Sequence, residues 1–447
     1  MKFIDTLKNV WKIEELRNRI MVTLGLMLVY RFGAQVVLPG IDASKLAEFA
    51  GKFDTGGIGG LLNAFTGGAF ANASVFALGI MPYISASIVV QLMQIAVPYL
   101  QKLQKEGESG RKKINQITRW LTIGICLVQA PSYLFGLEAL GVPSAAFILG
   151  KTPMFMVSST IILVTGCIFA MWLGEKITDK GIGNGISILI MVGIIATLPQ
   201  SFIQNFASRL EAGNGGGILI LIELVIWFLI ILASIMLVMA VRKIPVQYAR
   251  RTASGGYEKN IFGARQFIPL KLNASGVMPI IFAQAIMFVP SAVASLSESE
   301  FAQSVQSAFG DIFGLWYNIV FAALIIVFTY FYTAITVPTN KMADDLKRSG
   351  GFIPGIKPGS DTAEFLDKIM SQITLPGSVF LALVAVFPAF VVKLMGIQSG
   401  WALFYGGTSL LIMVGVAIDT MQQINSYLLN RHYDGLMKSG KNRKAVA

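Results

Sequence analysis

The sequence predicts an all-α polytopic protein that crosses a membrane ten times. Three observations carry this prediction. Of the 447 residues, 54% are hydrophobic and only 13% are charged, and the mean hydropathy is +0.66; a soluble core of this length carries about twice that charge. Ten apolar stretches are each long enough for the roughly 20 helical residues that span a bilayer. The cations are also partitioned: 30 of the 36 Lys and Arg lie in the N-terminal segment, alternate loops and the tail, whereas the opposite loops hold Lys45, Lys52, Lys151, Arg209 and Lys393. Because Lys and Arg accumulate on cytoplasmic loops, both termini are expected in the cytoplasm.

Residues 1–19 carry Lys2, Lys8, Lys12, Arg17 and Arg19, with Phe3, Ile4, Leu7, Val10 and Trp11 along one helical face. This pattern describes an amphipathic helix on the cytoplasmic membrane surface. No cleavable signal peptide is expected, since the first apolar span is too long and lacks a small-residue cleavage site. The spans are expected at 20–38, 72–97, 118–137, 153–173, 186–205, 217–241, 274–296, 313–337, 373–392 and 400–420. They divide as five plus five, 20–205 and 206–420, before a cytoplasmic tail at 421–447. No sequence repeat is discernible, but an even five-plus-five division is compatible with two halves inverted in the membrane.

Residues 55–101 run 47 positions without a charge and are punctuated by glycine. Gly56, Gly57, Gly59 and Gly60 open the stretch around Ile58; Leu61, Leu62, Asn63, Ala64 and Phe65 follow; Gly67 and Gly68 close this first piece. About ten residues of helix reach only ~15 Å, half of a ~30 Å hydrocarbon core. The run from Ala71 to about Tyr99 does suffice. Lipid cannot satisfy the backbone ends of a half-length helix. The first piece is therefore either a re-entrant plug inside protein or a watery cavity, or an interfacial helix lying flat outside.

Two cytoplasmic loops are longer than connectors need to be. Residues 242–272 hold seven basic residues against Glu258 alone; residues 339–372 hold five basic and five acidic residues and the turn-rich run from Gly350 to Gly359. Anchoring of topology or contact with anionic lipid accounts for the charge. The length points to docking of a soluble partner, either acidic protein or nucleic acid.

Several chemistries lack their residues. There is no G-x-x-x-x-G-K-[ST] loop, H-E-x-x-H or G-x-S-x-G. Gly181-Ile182-Gly183-Asn184-Gly185 follows a membrane helix rather than a strand, and reads as a helix break before the fifth span more than as a nucleotide cradle. His432 is the single histidine and lies in the tail, which disfavours a His-based metal site; no cofactor is expected. Cys126 and Cys167 fall in different spans and read as packing residues. Arg31 and Glu223 are the clear intramembrane charges, with Asp419 near the end of the last span. Ion-coupled transporters place several ionisable groups along their route, whereas one Arg and one Glu fit a structural pair or snorkelling side chains better.

What remains is apolar. Ile80, Ile84 and Ile88, and again Ile186, Ile190 and Ile194, recur at i, i+4, i+8 and so line one face of their helices. Such stripes either face lipid and neighbouring helices or form a dry constriction. Ser85, Ser87, Gln129 and Gln284 are either a hydrogen-bonded seam between helices or scattered packing contacts.

Long strings in this chain resemble the SecY family of bacterial protein-conducting channels: FALGIMPYISASI at 76–88, KEGESGR at 105–111, MWLGE at 171–175, TDKGIGNGIS at 178–187, FIPGIKPG at 352–359 and YGGTSLLI at 405–412. The resemblance implies two inverted five-helix halves around an hourglass pore, and an unfolded secretory or membrane polypeptide as substrate. It maps a pore ring onto Ile80, Ile84, Ile190, Ile194, Ile281 and Ile412, and a plug onto residues from Gly57 to Gly68 (Gly57, Ile58, Gly59, Gly60, Leu61, Leu62, Asn63, Ala64, Phe65, Gly67 and Gly68). It implies a lateral gate between the second and third spans and the seventh and eighth, with Ser85, Ser87, Gln129 and Gln284 as candidate polar residues. The string VQYARR at 246–251 gives Tyr248, Arg250 and Arg251 a docking role for a SecA-like motor ATPase or a ribosome. Lys357 stands where the family often has arginine, which keeps the charge but loses the planar fork. SecE-like and SecG-like small membrane subunits, signal peptides, unfolded preproteins and anionic lipids are the other implied partners, and the bacterial cytoplasmic membrane is the implied location.

Two other classes compete with a passive, partner-driven channel. A secondary transporter for a small solute calls for paired buried charges or several broken spans, and a membrane-embedded enzyme for a catalytic constellation; the chain shows chiefly one half-helix.

Overall fold

Each of the ten predicted spans overlaps a helix, though those at 72–97 and 400–420 are helical only in part. The computed structural model describes residues 11, 13–50, 58–139, 146–148, 150, 152–211, 216–248, 266–294, 304 and 308–444. Residues 1–10 of the predicted amphipathic helix, Gly57, Arg250 and Arg251 lie outside them. The chain divides into two compact units: one comprises residues 1–217, 396–404 and 412–447, the other residues 218–395 and 405–411.

The first unit opens with α1 (Glu14–Gln35), α2 (Ala43–Ala50) and the short α3 (Ile58–Thr66). It continues through α4 (Met81–Ala96), α5 (Pro98–Lys105), α6 (Glu108–Ala139), α7 (Pro153–Lys180) and α8 (Gly185–Glu211). In chain order the second unit then contributes α9 (Gly216–Met239), β1 (Val241–Tyr248), β2 (Gln266–Lys271), α10 (Met278–Ala294), α11 (Leu315–Thr336), α12 (Thr339–Arg348), β3 (Gly351–Phe352) and α13 (Ser360–Met395). The chain returns to the first unit with α14 (Ser399–Ala402) and most of α15 (Gly407–Lys444). Among the described residues, seven helical segments are apolar and long enough to cross a membrane unaided; α4 and α5 qualify only together, bent by 101°. The bend has a local cause. Pro98 opens α5, and the residue before a proline is driven out of the helical region, as Val97 is at φ −102° and ψ 113°.

Two features depart from the prediction. The run at 72–97 was expected as one helix, but α4 begins only at Met81 and residues 67–80 form successive tight turns, with a bridge residue at Ser74. Gly67, Gly68 and Gly79 adopt positive φ of 66°, 91° and 54°, a region open to glycine. Much of the backbone of this irregular, buried segment is hydrogen-bonded within the protein. The Leu38 amide donates to the Ala73 carbonyl at 2.9 Å, and the Val75 amide to the Val36 carbonyl at 2.9 Å. That is the condition under which non-helical backbone persists at membrane depth.

Second, the two long loops are not independent. β1 pairs antiparallel with β2, Val241 opposite Lys271 and Val246 opposite Gln266, and with β3, Tyr248 opposite Gly351. The three-stranded sheet, ordered β2-β1-β3, joins the 242–272 loop to the 339–372 loop. The sequence of β1 explains it. Ile244 and Val246, two residues apart, turn inward and are 3% and 1% exposed, while Lys243 and Pro245 face out. They join Leu270, Leu346, Ile353 and Leu366 in one cluster. Each buried aliphatic side chain there stabilises by roughly 1.5–3 kcal/mol relative to exposure.

Candidate functional site

The half-helix is the centre of the first unit's candidate site. Residues 58–66 form α3, and Leu61, Asn63, Ala64, Phe65 and Thr66 are buried, with Leu62 half-buried. Its last turn closes in a Schellman arrangement: the Gly67 amide donates to the Ala64 carbonyl at 3.2 Å and the Gly68 amide to the Asn63 carbonyl at 2.9 Å, with Gly67 in the left-handed region. Two side chains then tie α3 to the turns that follow. Asn63 Oδ1 accepts from the Ala71 amide at 3.0 Å. Thr66 Oγ1 donates to the Leu62 carbonyl at 2.9 Å and accepts from the Phe70 amide at 3.1 Å. The turns are held in turn by Tyr133 of α6, whose hydroxyl donates to the Phe70 carbonyl at 2.7 Å.

The end of α3 lies between two of the predicted isoleucine positions. On one side Thr66 packs against Gly79, where an added Cβ would stand 2.8 Å from the threonine methyl; Ile80 follows directly. On the other side α3 packs on α8 at Gly193, where an added Cβ would stand 2.5 Å from the Phe65 carbonyl oxygen; Ile194 follows directly. Ile80, Ile84, Ile190, Ile194 and Ile412 are all buried in the first unit, and Ile194 is fully enclosed. Ile281 is half-buried near the start of α10 in the second unit. The structure therefore brings the apolar half-helix against the segments that carry Ile80 and Ile194.

The polar candidates divide between the units. Ser85 and Ser87 on α4 and Gln129 on α6 are half-buried on two helices that pack together. Ser87 Oγ accepts from Gln91 Nε2 at 3.0 Å within α4. In the second unit Gln284 Nε2 donates to the Tyr317 hydroxyl at 3.1 Å, linking α10 to α11. Tyr248 ends β1 beside β3, and Gly351 makes room for it: an added Cβ would meet the Tyr248 ring at 2.9 Å. Lys357 is exposed beyond β3, and its carbonyl accepts from Thr362 Oγ1 at 2.8 Å.

Other positions acquire roles that sequence patterns did not assign. Arg31 on α1 donates from Nη1 to the Gly67 carbonyl at 2.8 Å, a contact 36 residues away that composition cannot anticipate. Arg119 of α6 and Glu175 of α7 form a bidentate pair at 2.6 and 3.0 Å. The glycine-rich run at 181–185 is a helix break, as its place after a membrane helix suggested. The Ile182 amide donates to Thr23 Oγ1 at 3.1 Å, the Gly183 amide to Gln423 Oε1 at 2.8 Å and the Gly185 amide to Thr178 Oγ1 at 2.9 Å.

The SecY family model matches residues 74–421. The protein translocase subunit SecY of Aquifex aeolicus is 36% identical over 438 residues, covering 97% of this chain and 99% of the relative. That of Vibrio cholerae is 39% identical over 437 residues, covering 95% of each. Two solved structures share the fold. One is a SecY protein whose plug domain stabilises the closed state of the translocation channel and maintains a membrane seal, at a TM-score of 0.59 and 17% identity over 92% of each chain. The other is Sec61 in the canine ribosome–channel complex from the endoplasmic reticulum, at a TM-score of 0.55 and 18% identity over 92% of each chain. A family match across most of the chain, near-full-length relatives and a shared channel fold together establish that this chain belongs to the SecY family.

Proposed function

We propose that α3 is the plug of this protein-conducting channel and that Ile80, Ile84, Ile190, Ile194, Ile281 and Ile412 form the constriction through which an unfolded polypeptide passes. The observation that carries the reading is the seat of α3, a half-length apolar helix buried between Gly79–Ile80 and Gly193–Ile194. A helix too short to span lipid needs such a protein seat, and aliphatic rings close a pore by excluding water yet yield to a passing chain. The plug domain of the structurally similar SecY has that sealing role.

The chain carries no motor motif, so a partner drives transport. The joined loop body, with Tyr248 at the end of β1 and Lys357 exposed beyond β3, is the docking surface in this reading, extended by Arg250 and Arg251. Its partner is a SecA-like ATPase or a ribosome, the latter in line with the ribosome-bound Sec61 relative. Membrane segments leave sideways through a gate that includes Ser85, Ser87, Gln129 and Gln284. SecE-like and SecG-like subunits complete the channel in a bacterial cytoplasmic membrane, with both termini inside and anionic lipid against the basic loops.

The test is a cross-link. Cys126 and Cys167 are replaced with alanine, Ile84 with cysteine, and the full chain is reconstituted with its co-purifying membrane subunits and the motor. A secretory precursor with one cysteine midway is then stalled and oxidised. An adduct at position 84 that requires both motor and ATP supports the ring. A stalled precursor that gives no adduct at 84, or in parallel at 281 or 412, removes these residues from the path.

A further inference from the structure

We propose that Arg31 is the latch that holds the plug closed, a positioning residue for channel gating. The proposal rests on the reading of α3 as the plug, and names the group that keeps it seated. Arg31 lies in the predicted first span, where an arginine is costly unless partnered. Its guanidinium donates to the Gly67 carbonyl at 2.8 Å. That carbonyl follows the last turn of α3, where the helix dipole places partial negative charge and a cation is stabilising.

The approach is tight on every side. An added Cβ at Gly67 would stand 2.5 Å from Arg31 Nη1 and 2.8 Å from the Gly193 Cα. An added Cβ at Gly193 would stand 2.5 Å from the Phe65 carbonyl oxygen and 3.2 Å from the Gly67 nitrogen. Backbone of the plug thus rests directly on backbone of α8, and Arg31 of α1 fastens the same turn. The polar side-chain tethers of α3, Asn63 and Thr66, also lie in its C-terminal half, while the segment Ile58 to Leu62 is glycine and aliphatic.

Displacing α3 from this seat breaks the bond to Gly67 and leaves the guanidinium without that acceptor in an apolar span. The closed state is favoured by that difference, because a contact shifts a two-state equilibrium only by its differential free energy. Hydrogen bonds from a charged donor are among the stronger ones, so loss of this one is expected to raise the unseated fraction about tenfold.

The experiment compares Arg31→Met, which keeps length but donates nothing, with Arg31→Lys, Gly67→Ala and a deletion of residues 58–66, all in the full chain with its co-purifying membrane subunits. Two readouts are taken: resting ion conductance in planar bilayers, and maleimide labelling of a single Leu62→Cys in a background without Cys126 and Cys167 (conductance alone for the deletion). The latch predicts that Arg31→Met raises both about tenfold and that Arg31→Lys restores part of the seal; Gly67→Ala, whose methyl meets both the guanidinium and the Gly193 Cα at a positive φ, is expected to unseat the turn as well. If the deletion leaks but Arg31→Met stays tight and unlabelled, the latch is wrong while the plug stands. If the deletion does not leak, the plug reading falls and takes the latch with it. Should Arg31→Met fail to assemble, as judged by size exclusion, Arg31→Gln decides: a seal weaker than wild type supports the latch, and an unchanged one overturns it.

Discussion

Glycine at a helix contact is a statement about distance, and Gly166 of α7 makes it most directly. A Cβ there would fall on the Val75 carbonyl oxygen, so the turn that leads into α4 is pressed against bare helix backbone. In a bilayer, where apolar burial between helices contributes little, such close approach is what holds helices together. Gly166→Ala is expected to cost about 1–3 kcal/mol through overpacking, read as a Tm several degrees lower for the purified complex. The two cysteines illustrate the opposite case. Cys126 and Cys167 are both buried and belong to the same apolar cluster of the first unit. Neither is expected to react with a membrane-permeant maleimide in the folded protein, and both are expected to react after denaturation; labelling measured by mass spectrometry checks this. Their packing role was legible from residue type and hydropathy. That Arg31 meets Gly67 was not, because a lone arginine in an apolar stretch does not name its acceptor.

At the scale of elements, the small sheet decides whether the two long loops act as one surface. Val246 of β1 is 1% exposed and belongs to the cluster that binds the sheet to α12 and α13. Val246→Asp buries a carboxylate without a partner and is expected to cost at least ~3 kcal/mol locally. Limited proteolysis should then cut both loops faster, not only the first. Equal protection of the 339–372 loop in wild type and variant would show that the sheet does not couple them. The sequence contained the period-two signal in Ile244 and Val246, yet two strands nearly 20 residues apart and a third about 100 residues on are a non-local pairing that no short window reveals. A further element-level contact, the Arg119–Glu175 pair, joins α6 to α7. Since its Arg side chain is 51% exposed, solvent screens it. A double-mutant cycle should find a coupling of no more than about 1 kcal/mol, which falls further at high salt.

For the whole molecule, charge is the governing quantity. A net charge of +12 is concentrated on one set of loops. A cysteine placed at Lys45 is expected to react with an impermeant reagent from outside intact cells, and one at Lys357 only after the membrane is opened. The reverse pattern would invert the topology. In the docking role proposed for them, reversing the charge of Arg250 and Arg251 is expected to weaken binding of a SecA-like motor about tenfold in low salt, with the difference shrinking as ionic strength rises. A pull-down across a salt series measures it, and unchanged binding would remove these residues from the docking surface.

The sequence by itself determined the membrane class, the placing of a helix within each of ten apolar stretches and the half-length piece before the second span. These follow from local composition: hydropathy over ~20 residues and the tally of Lys and Arg per loop are one-dimensional properties that partition into lipid or cytoplasm without reference to any fold. Only the tertiary structure decided where α3 rests, that residues 67–80 turn rather than continue a helix, that the two loops share a sheet, and that Arg31 faces the Gly67 carbonyl. Each of these depends on a partner distant in the chain. A short apolar helix, an alternating strand and a buried cation are all incomplete alone, and what completes them is a backbone group that every residue possesses and that no sequence pattern can single out.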